Sequence, residues 1–475
     1  MTKKVLHIPQ HSEVSSTPAT PDTGFSKIYP KTDKEWYWLD DAGNENPFKF
    51  PIYSQNILYV DATYGNNSTG TAGRIDLPYS TIVSALGAAS SGQTIVVRPG
   101  SYAEGTINLV DGVNIYCQSG VILTNTGFRD NGVTLTSNIY GDAKFTGSTA
   151  ALAVTGTSSV YLEFDTIDSS NFVAILNPAS GTSVTRMVGN SIVCSGVNGF
   201  AISARGPAKL WLNIREYFES NHTNLFFRSG TQGSFSGEAY TTCPLIKCTG
   251  TSTFAFNSCV SFENVTSAAI ITVRGDLETT SSSYGGGVNA GLNGRGGNVT
   301  LYGNIKSLDS YGVTTDGNVS AANGVIKIFG SISSNREAIS SNSSTVPIYV
   351  QGGLISSTGI GTIPVAVSTG AGYSGLPGVG GNTLYFKDCR FYNSLNNSSL
   401  VDIYPAAAPS ASTAYFYDCE GTSVGASGNF CQASAAATAG FKNTVSNKGL
   451  SSVTDLFSPS GFVLDVSGFF TIPNF

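Results

Sequence analysis

Charge is scarce in this sequence, since Asp, Glu, Lys and Arg together make up only 12% of its 475 residues. Acidic residues outnumber basic ones by 31 to 25, so we expect no basic patch and no binding to nucleic acid. No run of 18 apolar residues occurs, and the first residues lack the apolar core of a signal peptide. The sequence therefore predicts neither membrane insertion nor export by the general secretory pathway.

Histidine and cysteine are too few and too scattered to indicate a metal site. The sequence has three histidines and eight cysteines, and no two cysteines form a C-x-x-C pair. We therefore expect buried free thiols, no zinc or redox chemistry and no cofactor. Glutamate, lysine and leucine are also too sparse for a helical protein, whereas 26 Phe and 22 Tyr are too many for a disordered one.

A strand pattern recurs along the chain: apolar and aromatic residues alternate over a few positions, and Gly, Asn or Asp follows. The central residues of these strands are 116, 140, 162, 187, 212, 246, 271, 301, 327, 349, 385 and 415. Consecutive centres lie 22 to 36 residues apart, a period that is typical of a solenoid. Because one coil cannot bury its inward side chains alone, we expect the coils to stack through parallel strand ladders.

One amphipathic helix is predicted just before this array, in LPYSTIVSALGAAS. Ser80 or Thr81 can cap it, and Gly92 can end it. The apolar positions on one face are Ile82, Leu86 and Ala89. A single helix ahead of stacked strands can close the open apolar end of the stack.

Three consecutive segments, YVDATYG, LPYSTIVSALGAAS and GQTIVVRPGSYAEG, resemble the start of right-handed parallel β-helix proteins of the pectin-lyase-like kind, which include many bacteriophage tailspikes and fibres. The resemblance implies an all-β chain built as a right-handed, single-stranded parallel β-helix. It also implies one short N-terminal α-helix as a cap and an extended N-terminal arm. The matching segments cover roughly a tenth of the chain and bear on the fold rather than on the activity.

The N-terminal region resembles a small element found near the start of many phage tail and fibre proteins, where it belongs to the virion-anchoring part. Its strands are KIYP and EWYWLD, with a turn after each. Because an isolated hairpin is marginally stable, its aromatic side chains need a partner surface. The residues expected to anchor the chain to the virion are Tyr29, Trp36, Tyr37 and Trp38.

The composition divides the chain into four predicted segments. They are an extended virion-binding arm (1–26), an aromatic hairpin anchor (27–55), a parallel β-helix rod (56–430) and a C-terminal oligomerisation segment (431–475). The last segment ends in GFFTIPNF, and such an apolar terminus is expected to pack between protomers. The resemblance to phage spikes implies a homotrimer.

Sugar-cleaving β-helices use pairs of carboxylates on the outer face of the rod. The candidates are Glu163, Asp165 and Asp168, then Glu216 and Glu219 beside His222, and Asp276 beside Glu278. A solvated charge on an outer face is the alternative for every one of them. A lyase also needs a basic residue, and the arginines that could serve are Arg215, Arg228 and Arg274. No calcium-loop spacing or pectate-lyase motif is visible, which weakens the lyase interpretation.

Aromatic side chains on the rod could stack on sugar rings. The glycan-binding candidates are Trp211, Tyr217 and Tyr284, and core packing is the alternative for each.

The leading functional hypothesis is a bacteriophage structural virion protein, a trimeric fibre or spike assembled in the host cytoplasm. It would bind other virion proteins through residues 1–50 and contact the host surface, with glycans as the expected partner. The rival is a polysaccharide depolymerase tailspike, a glycoside hydrolase or lyase acting on capsule or lipopolysaccharide. A cellular adhesin is disfavoured because the sequence shows no secretion signal or surface anchor. The scarcity of charge on the rod favours the non-enzymatic hypothesis.

Overall fold

The structure is a computed structural model. It describes residues 15–23, 27–32, 36–39, 42–47, 55–178, 181–196, 200–228, 234–250, 258–263, 265–280, 290–294, 297–308, 311–315, 324–335, 338–341, 347–358, 367–369, 383–393, 401–403, 413–423, 431–433, 438–442 and 444–446.

The chain is built almost entirely of short β-strands. The first elements are β1 (Lys27–Pro30), β2 (Trp36–Leu39), β3 (Glu45–Pro47), β4 (Ile57–Val60), α1 (Ile82–Ala88), β5 (Thr94–Val97), β6 (Gly100–Tyr102), β7 (Thr106–Asn108), β8 (Asn114–Cys117), β9 (Val121–Thr124), β10 (Gly127–Arg129), β11 (Thr136–Gly141), β12 (Lys144–Gly147) and β13 (Leu152–Val154). Longer strands follow: β14 (Ser159–Ser169), β15 (Ala174–Leu176), β16 (Val184–Cys194), β17 (Phe200–Ala204), β18 (Lys209–Ser220), β19 (Thr223–Arg228), β20 (Glu238–Cys248), β21 (Val260–Glu263), β22 (Ile270–Thr279) and β23 (Ala290–Gly294).

The C-terminal half returns to short strands. They are β24 (Gly297–Tyr302), β25 (Ile305–Ser307), β26 (Tyr311–Thr315), β27 (Gly324–Phe329), β28 (Ile332–Ser334), β29 (Ile339–Ser341), β30 (Ile348–Gln351), β31 (Leu354–Ser357), β32 (Val367–Thr369), β33 (Thr383–Lys387), β34 (Arg390–Asn393), β35 (Val401–Ile403), β36 (Thr413–Tyr417), β37 (Glu420–Ser423), β38 (Cys431–Ala433), β39 (Thr438–Lys442) and β40 (Val445–Ser446).

These strands form a right-handed parallel β-helix, as predicted. Each turn of the chain passes through three parallel sheets, here called A, B and C in chain order. Sheet A contains β4, β5, β8, β11, β24, β27, β30, β33, β36 and β39, and sheet B contains β6, β9, β12, β25, β28, β31, β34, β37 and β40. The long strands β14, β16, β18, β20 and β22 cross the corner between sheets A and B and belong to both. Sheet C contains thirteen short strands, from β7 to β38.

The core is one continuous apolar cluster enclosed by the three sheets. The inward row of sheet A runs through residues such as Leu58, Ile95, Ile115, Ile139 and Leu162, which are in register on successive coils and fully buried. Because strand residues alternate between faces, every second side chain of each coil enters this core. Each fully buried aliphatic or aromatic side chain contributes roughly 1.5 to 3 kcal/mol.

Helix α1 closes the first coil, as the sequence predicted. The Thr81 hydroxyl accepts a hydrogen bond from the Ser84 amide, and Ile82, Ala85 and Leu86 are buried against β4, β5 and β7. The helix ends at Ala88, before the predicted stop at Gly92, because Ala89 already has extended backbone angles. The free amides of the first turn have a second partner that the sequence did not indicate. Glu104 accepts hydrogen bonds from the amides of Ile82 (2.7 Å) and Val83 (2.8 Å).

The corner between sheets A and B is a tight turn that requires unusual backbone angles. Gly275 lies in this corner with φ of +135°, and an added Cβ would lie 1.6 Å from the Cys243 carbonyl oxygen. Two later coils use Asp388 and Asp418 instead, with φ of 55° and 53°. Aspartate tolerates the left-handed region better than most residues, which explains the repeated KDC and YDC sequences at these corners.

The strand stack continues beyond residue 430, the predicted end of the rod. Strands β39 and β40 pair with β36 and β37 in parallel. The reason is that inward aromatic residues still repeat: Phe386, Phe416 and Phe441 stack with ring centroids 5.2 and 5.1 Å apart. The apolar C-terminal residues from 447 onward lie outside the described part of the chain.

The N-terminal strands form a separate antiparallel sheet. Strands β1 and β2 pair as predicted, and β3 adds a third strand beside β2. Residues 15–23 contain no helix or strand, but they contact this sheet. Lys27 donates a hydrogen bond to the Ala19 carbonyl oxygen (2.7 Å), and the Thr17 hydroxyl donates one to Glu45 (3.0 Å).

Seven cysteines whose side chains the structure describes are buried and free. They are Cys117, Cys194, Cys243, Cys248, Cys259, Cys389 and Cys419. Burial raises the pKa of Cys117 and of Cys248 to about 12, so neither is a reactive thiolate at neutral pH.

Candidate functional site

Glu163 and Asp165 of EFDTID lie at the corner between sheets A and B, in a network that joins several coils. The Arg215 guanidinium lies 3.8 Å from Glu163 and donates a hydrogen bond to Asn190 (3.0 Å). Asn190 in turn donates to Asp165 (2.8 Å), and Lys144 lies 3.6 Å from the same carboxylate. We call Lys144, Glu163, Asp165, Asn190 and Arg215 the corner network.

The corner network confirms that Glu163 and Asp165 share the outer surface, with Phe164 buried between them. It also has a structural explanation. Its ion pairs and hydrogen bonds connect the stacked strands β12, β14, β16 and β18 and help to hold their register. Arg215 lies in a bulge of β18, where the register shifts between Asn213 and Tyr217, and this irregularity places it beside a carboxylate two coils away.

Asp276 supports the backbone at the same corner further along the rod. Its carboxylate accepts hydrogen bonds from the Asn304 backbone amide (2.8 Å) and side-chain amide (3.1 Å). The Asn304 side-chain oxygen accepts one from the Ser331 amide (2.9 Å), and the Ser331 hydroxyl accepts one from the Leu354 amide (3.0 Å). Each polar side chain therefore satisfies a backbone donor of the next coil.

The remaining acidic candidates on sheet B belong to a row of alternating charges. Glu219, Lys247, Glu278 and Lys306 are direct neighbours on four successive strands. Lys247 lies 3.5 Å from Glu219, and Lys306 lies 3.5 Å from Glu278. We call these four residues the charge ladder. Cross-strand pairs of opposite charge stabilise a sheet modestly, by roughly 0.2 to 1 kcal/mol each.

The other candidates do not join a common cluster. Asp168 and Glu216 are exposed on the outer surface, whereas His222 is buried at the end of β18. Arg228 stacks on the rings of Phe200 (4.8 Å) and Phe226 (5.0 Å), away from the carboxylates. Within the described ranges, no group of three or more His, Cys, Asp or Glu residues is arranged to hold a metal ion.

The aromatic candidates differ in how much of each ring is available. Trp211 is in a stack on the outer face of sheet A, with the Arg186 guanidinium 5.2 Å from its ring and the Tyr240 ring 6.2 Å away and nearly parallel. A sugar that stacked on Trp211 would have to displace one of these neighbours. Tyr217 is 38% exposed, and its register neighbours Ser191 and Leu245 carry no ring. Tyr284 lies outside the described residues.

The outer face of sheet A carries further aromatic stacks toward the C-terminal end. Tyr349, Tyr385 and Tyr415 occupy successive strands, with ring centroids 4.4 and 5.3 Å apart. The rings of Tyr302 and Phe329 lie 5.0 Å apart and almost parallel. These residues are not among the predicted glycan-binding candidates, although the repeated strands VTLYG, VIKIFG, PIYVQG, TLYFKDC and AYFYDC contain the signal.

The N-terminal sheet is organised around Glu45. Tyr29 donates a hydrogen bond to its carboxylate, and Lys31 donates another at 2.7 Å. These two hydrogen bonds, with Lys31 as the larger cause, hold the pKa of Glu45 below its usual range. Burial, followed by the interaction with Glu45, raises the pKa of Tyr29 to about 12. The Tyr29 and Tyr37 rings stack at 6.2 Å, whereas the side chains of Trp36 and Trp38 lie outside the described part.

Comparison with known proteins adds no relative to these observations. Protein-family models, curated proteins and solved structures give no match to this chain. Among the described residues, no helix has the length and apolar character needed to cross a membrane.

Proposed function

We propose that this chain is a structural component of a bacteriophage particle, a trimeric fibre or spike that contacts host-surface glycans. The N-terminal segment attaches it to other virion proteins, and the rod extends to the host. The observation that carries the proposal is the pairing of two different elements in one chain. A small aromatic sheet held by Glu45 precedes a helix-capped parallel β-helix, which is the order expected from the resemblance to phage fibres.

The physical character of the rod supports this role. Its coils are joined by continuous parallel ladders and one unbroken core, so it is suited to hold a fixed shape over many coils. Ion pairs and hydrogen bonds engage most of the candidate carboxylates, which fits a structural function for them.

Incorporation into particles tests the anchoring role. The phage that encodes the chain would be assembled with labelled full-length protein, with protein lacking residues 1–50, or with the point variants Tyr37→Ala and Tyr64→Ala. We expect the deletion to abolish incorporation and Tyr37→Ala to reduce it. Tyr64, which is 82% exposed beside the capped end of the rod, serves as the matched control and its loss should have no effect. Normal incorporation of the deletion variant would contradict the proposal.

The corner network keeps a second candidate function open, because it places two carboxylates and an arginine together on the outer surface. A depolymerase would release reducing ends or unsaturated products from capsule or lipopolysaccharide. Under that alternative, Glu163→Gln would abolish product release and Glu278→Gln, in the charge ladder, would not. If the wild-type protein releases no product, the structural function stands alone.

A further inference from the structure

Two cysteines lie one above the other on adjacent coils toward the C-terminal end of the rod, at the corner between sheets A and B. The strands before this corner, β33 and β36, pair with the same sequence offset as the strands after it, β34 and β37. The Glu420 amide donates a hydrogen bond to the Cys389 carbonyl oxygen (2.9 Å), so the ladder runs through the corner without a shift. Cys389 and Cys419 are therefore neighbours in register.

The two thiols have equivalent positions in their coils. Both are buried, and each donates a hydrogen bond to the carbonyl oxygen two residues earlier in the chain. The Cys389 thiol donates to Lys387 (3.2 Å), and the Cys419 thiol donates to Tyr417 (3.3 Å). Neighbouring strands are about 4.8 Å apart, and the Cα atoms of disulfide-bonded cysteines are about 4.4 to 6.8 Å apart. The strand separation is therefore compatible with a disulfide at this position.

Cys419 differs in protonation from the other cysteines whose side chains the structure describes. Burial raises the pKa of those other thiols, including Cys389. The pKa of Cys419 is instead lowered, chiefly by a hydrogen bond from the Cys389 thiol. A lowered pKa increases the fraction of thiolate, which is the form that attacks an oxidant. Cys419 is therefore suited to react first, with Cys389 beside it as the second thiol.

The pair lies close beneath the outer surface of the rod. Asp388 and Asp418, which form the tight turn of this corner on the two coils, are exposed. The residues that follow the two cysteines, Arg390 and Glu420, are exposed as well. Each buried thiol thus has an exposed residue on either side of it in the chain. A small uncharged oxidant such as hydrogen peroxide therefore has a short path to the sulfur atoms.

We propose that Cys389 and Cys419 are an oxidisable pair, which a peroxide converts into a disulfide between adjacent coils of the rod. The Cys419 thiolate attacks one peroxide oxygen, the O–O bond breaks, and hydroxide leaves a sulfenic acid on Cys419. The Cys389 thiol then attacks this sulfur and gives up its proton, the S–O bond breaks, and water leaves. The two thiols lose two electrons in total, and the peroxide is reduced to two water molecules once the hydroxide takes up the first thiol proton.

The disulfide encloses the coil between the two cysteines in a covalent loop. Such a loop restricts the unfolded chain and therefore stabilises the folded coils toward the C-terminal end of the rod. This proposal revises, for one pair, the expectation of thiols without redox chemistry. It does not rest on the virion role, because it uses only the register and the chemistry of the two cysteines.

Treatment of the folded full-length protein with hydrogen peroxide tests this inference, with alkylation of the remaining thiols and peptide mapping as the readout. We expect one peptide joined through Cys389 and Cys419, with the loss of two hydrogen atoms and no gain of oxygen. The urea midpoint of the wild type should rise on oxidation and return to its starting value with dithiothreitol. Cys389→Ser should stop at the sulfenic acid on Cys419, which dimedone traps. Cys419→Ser should yield neither product.

Cys117→Ser is the matched control, because Cys117 is also buried and has a raised pKa. It should form the joined peptide as the wild type does, and circular dichroism should show that the three variants are folded. If a serine variant does not fold, peptide mapping of the wild type alone decides. Absence of the joined peptide from the folded wild type would overturn the inference, and so would its formation only in protein unfolded by urea. An unchanged urea midpoint after complete oxidation would overturn the stabilising role of the disulfide.

Discussion

The outer faces of sheets A and B belong to the same coils, yet they stack different side chains. Sheet B carries the charge ladder, in which each charge has an opposite charge on the next strand. Sheet A carries stacked rings toward its C-terminal end, and its charges include the Lys209–Glu238 ion pair (2.6 Å). Both sheets have the same parallel backbone pairing, so this pairing does not determine which side chains their outer faces carry. Strand pairing therefore balances the charges of sheet B, whereas contacts between rings order much of the outer face of sheet A.

A substitution at the corner between the two faces is expected to lower the free energy of unfolding more than the other substitutions below. Gly275→Ala combines a backbone angle that alanine rarely adopts with a Cβ 1.6 Å from the Cys243 carbonyl oxygen. We expect the free energy of unfolding to fall by about 3 kcal/mol or more, measured by urea denaturation. Gly87→Ala in helix α1, where an added Cβ meets nothing within 4 Å, is the control and should be neutral or stabilising. Equal effects of the two substitutions would show that the corner tolerates rearrangement.

The next largest expected effect tests whether a tyrosine that stacks on neighbouring rings stabilises the rod more than a tyrosine without ring neighbours in register. Tyr385→Ala on sheet A removes a ring that stacks on Tyr349 and Tyr415, and we expect a loss of about 2 kcal/mol in unfolding free energy. Tyr392→Ala on sheet B is the matched control, because its register neighbours Ser356 and Thr422 carry no ring. Its loss should be about 0.5 kcal/mol or less. If both substitutions cost the same, the stacks do not stabilise the rod.

Asp61 lies outside both faces, near the end of the rod that helix α1 caps. Its contribution to the free energy of unfolding is expected to depend on pH. Burial alone would raise the pKa of Asp61, but hydrogen bonds from Tyr64 and Thr63 and the contact with Arg98 (3.1 Å) bring it below its usual range. A carboxylate with a lowered pKa stabilises the folded state above its ordinary pKa, and this contribution is lost as the pH falls through the lowered value. We therefore expect Asp61→Asn to cost about 1 kcal/mol at neutral pH. The difference from the wild type should shrink in acid, and a constant difference across the pH range would contradict this reasoning.

The smallest effect tests charge pairing directly. Lys247→Glu places three carboxylates in line on sheet B, and we expect a loss of about 1 kcal/mol that decreases in concentrated salt. Lys327→Glu on sheet A introduces the same charge change between Thr300 and Tyr349, and should change stability by less than about 0.5 kcal/mol at any salt concentration. A salt-dependent loss for Lys327→Glu would mean that acidic groups elsewhere reach this face.

Some features of the N-terminal and connecting regions could not be predicted from local patterns. Strand β3 has the sequence ENP, which has little strand propensity, and Glu45 supports it through contacts with Tyr29 and Lys31. The strands of sheet C, such as LAV and AIL, are too short to show alternation. Both are specified by pairing with strands from other parts of the sequence.

The sequence by itself determined the inward and outward alternation of the longer strands, the period of the coils, and the helix that closes them, with Ser80 or Thr81 as its cap. Two coils with nearly the same sequence, TLYFKDC and AYFYDC, place like residues in register. Only the tertiary structure decided which outward residues meet. Coils differ in length, and the bulge in β18 shifts its register, so the neighbours of Arg215 or Lys247 depend on strand pairing across the whole coil. Local sequence carries the period of the strands, whereas register between coils is a property of the stacked sheets.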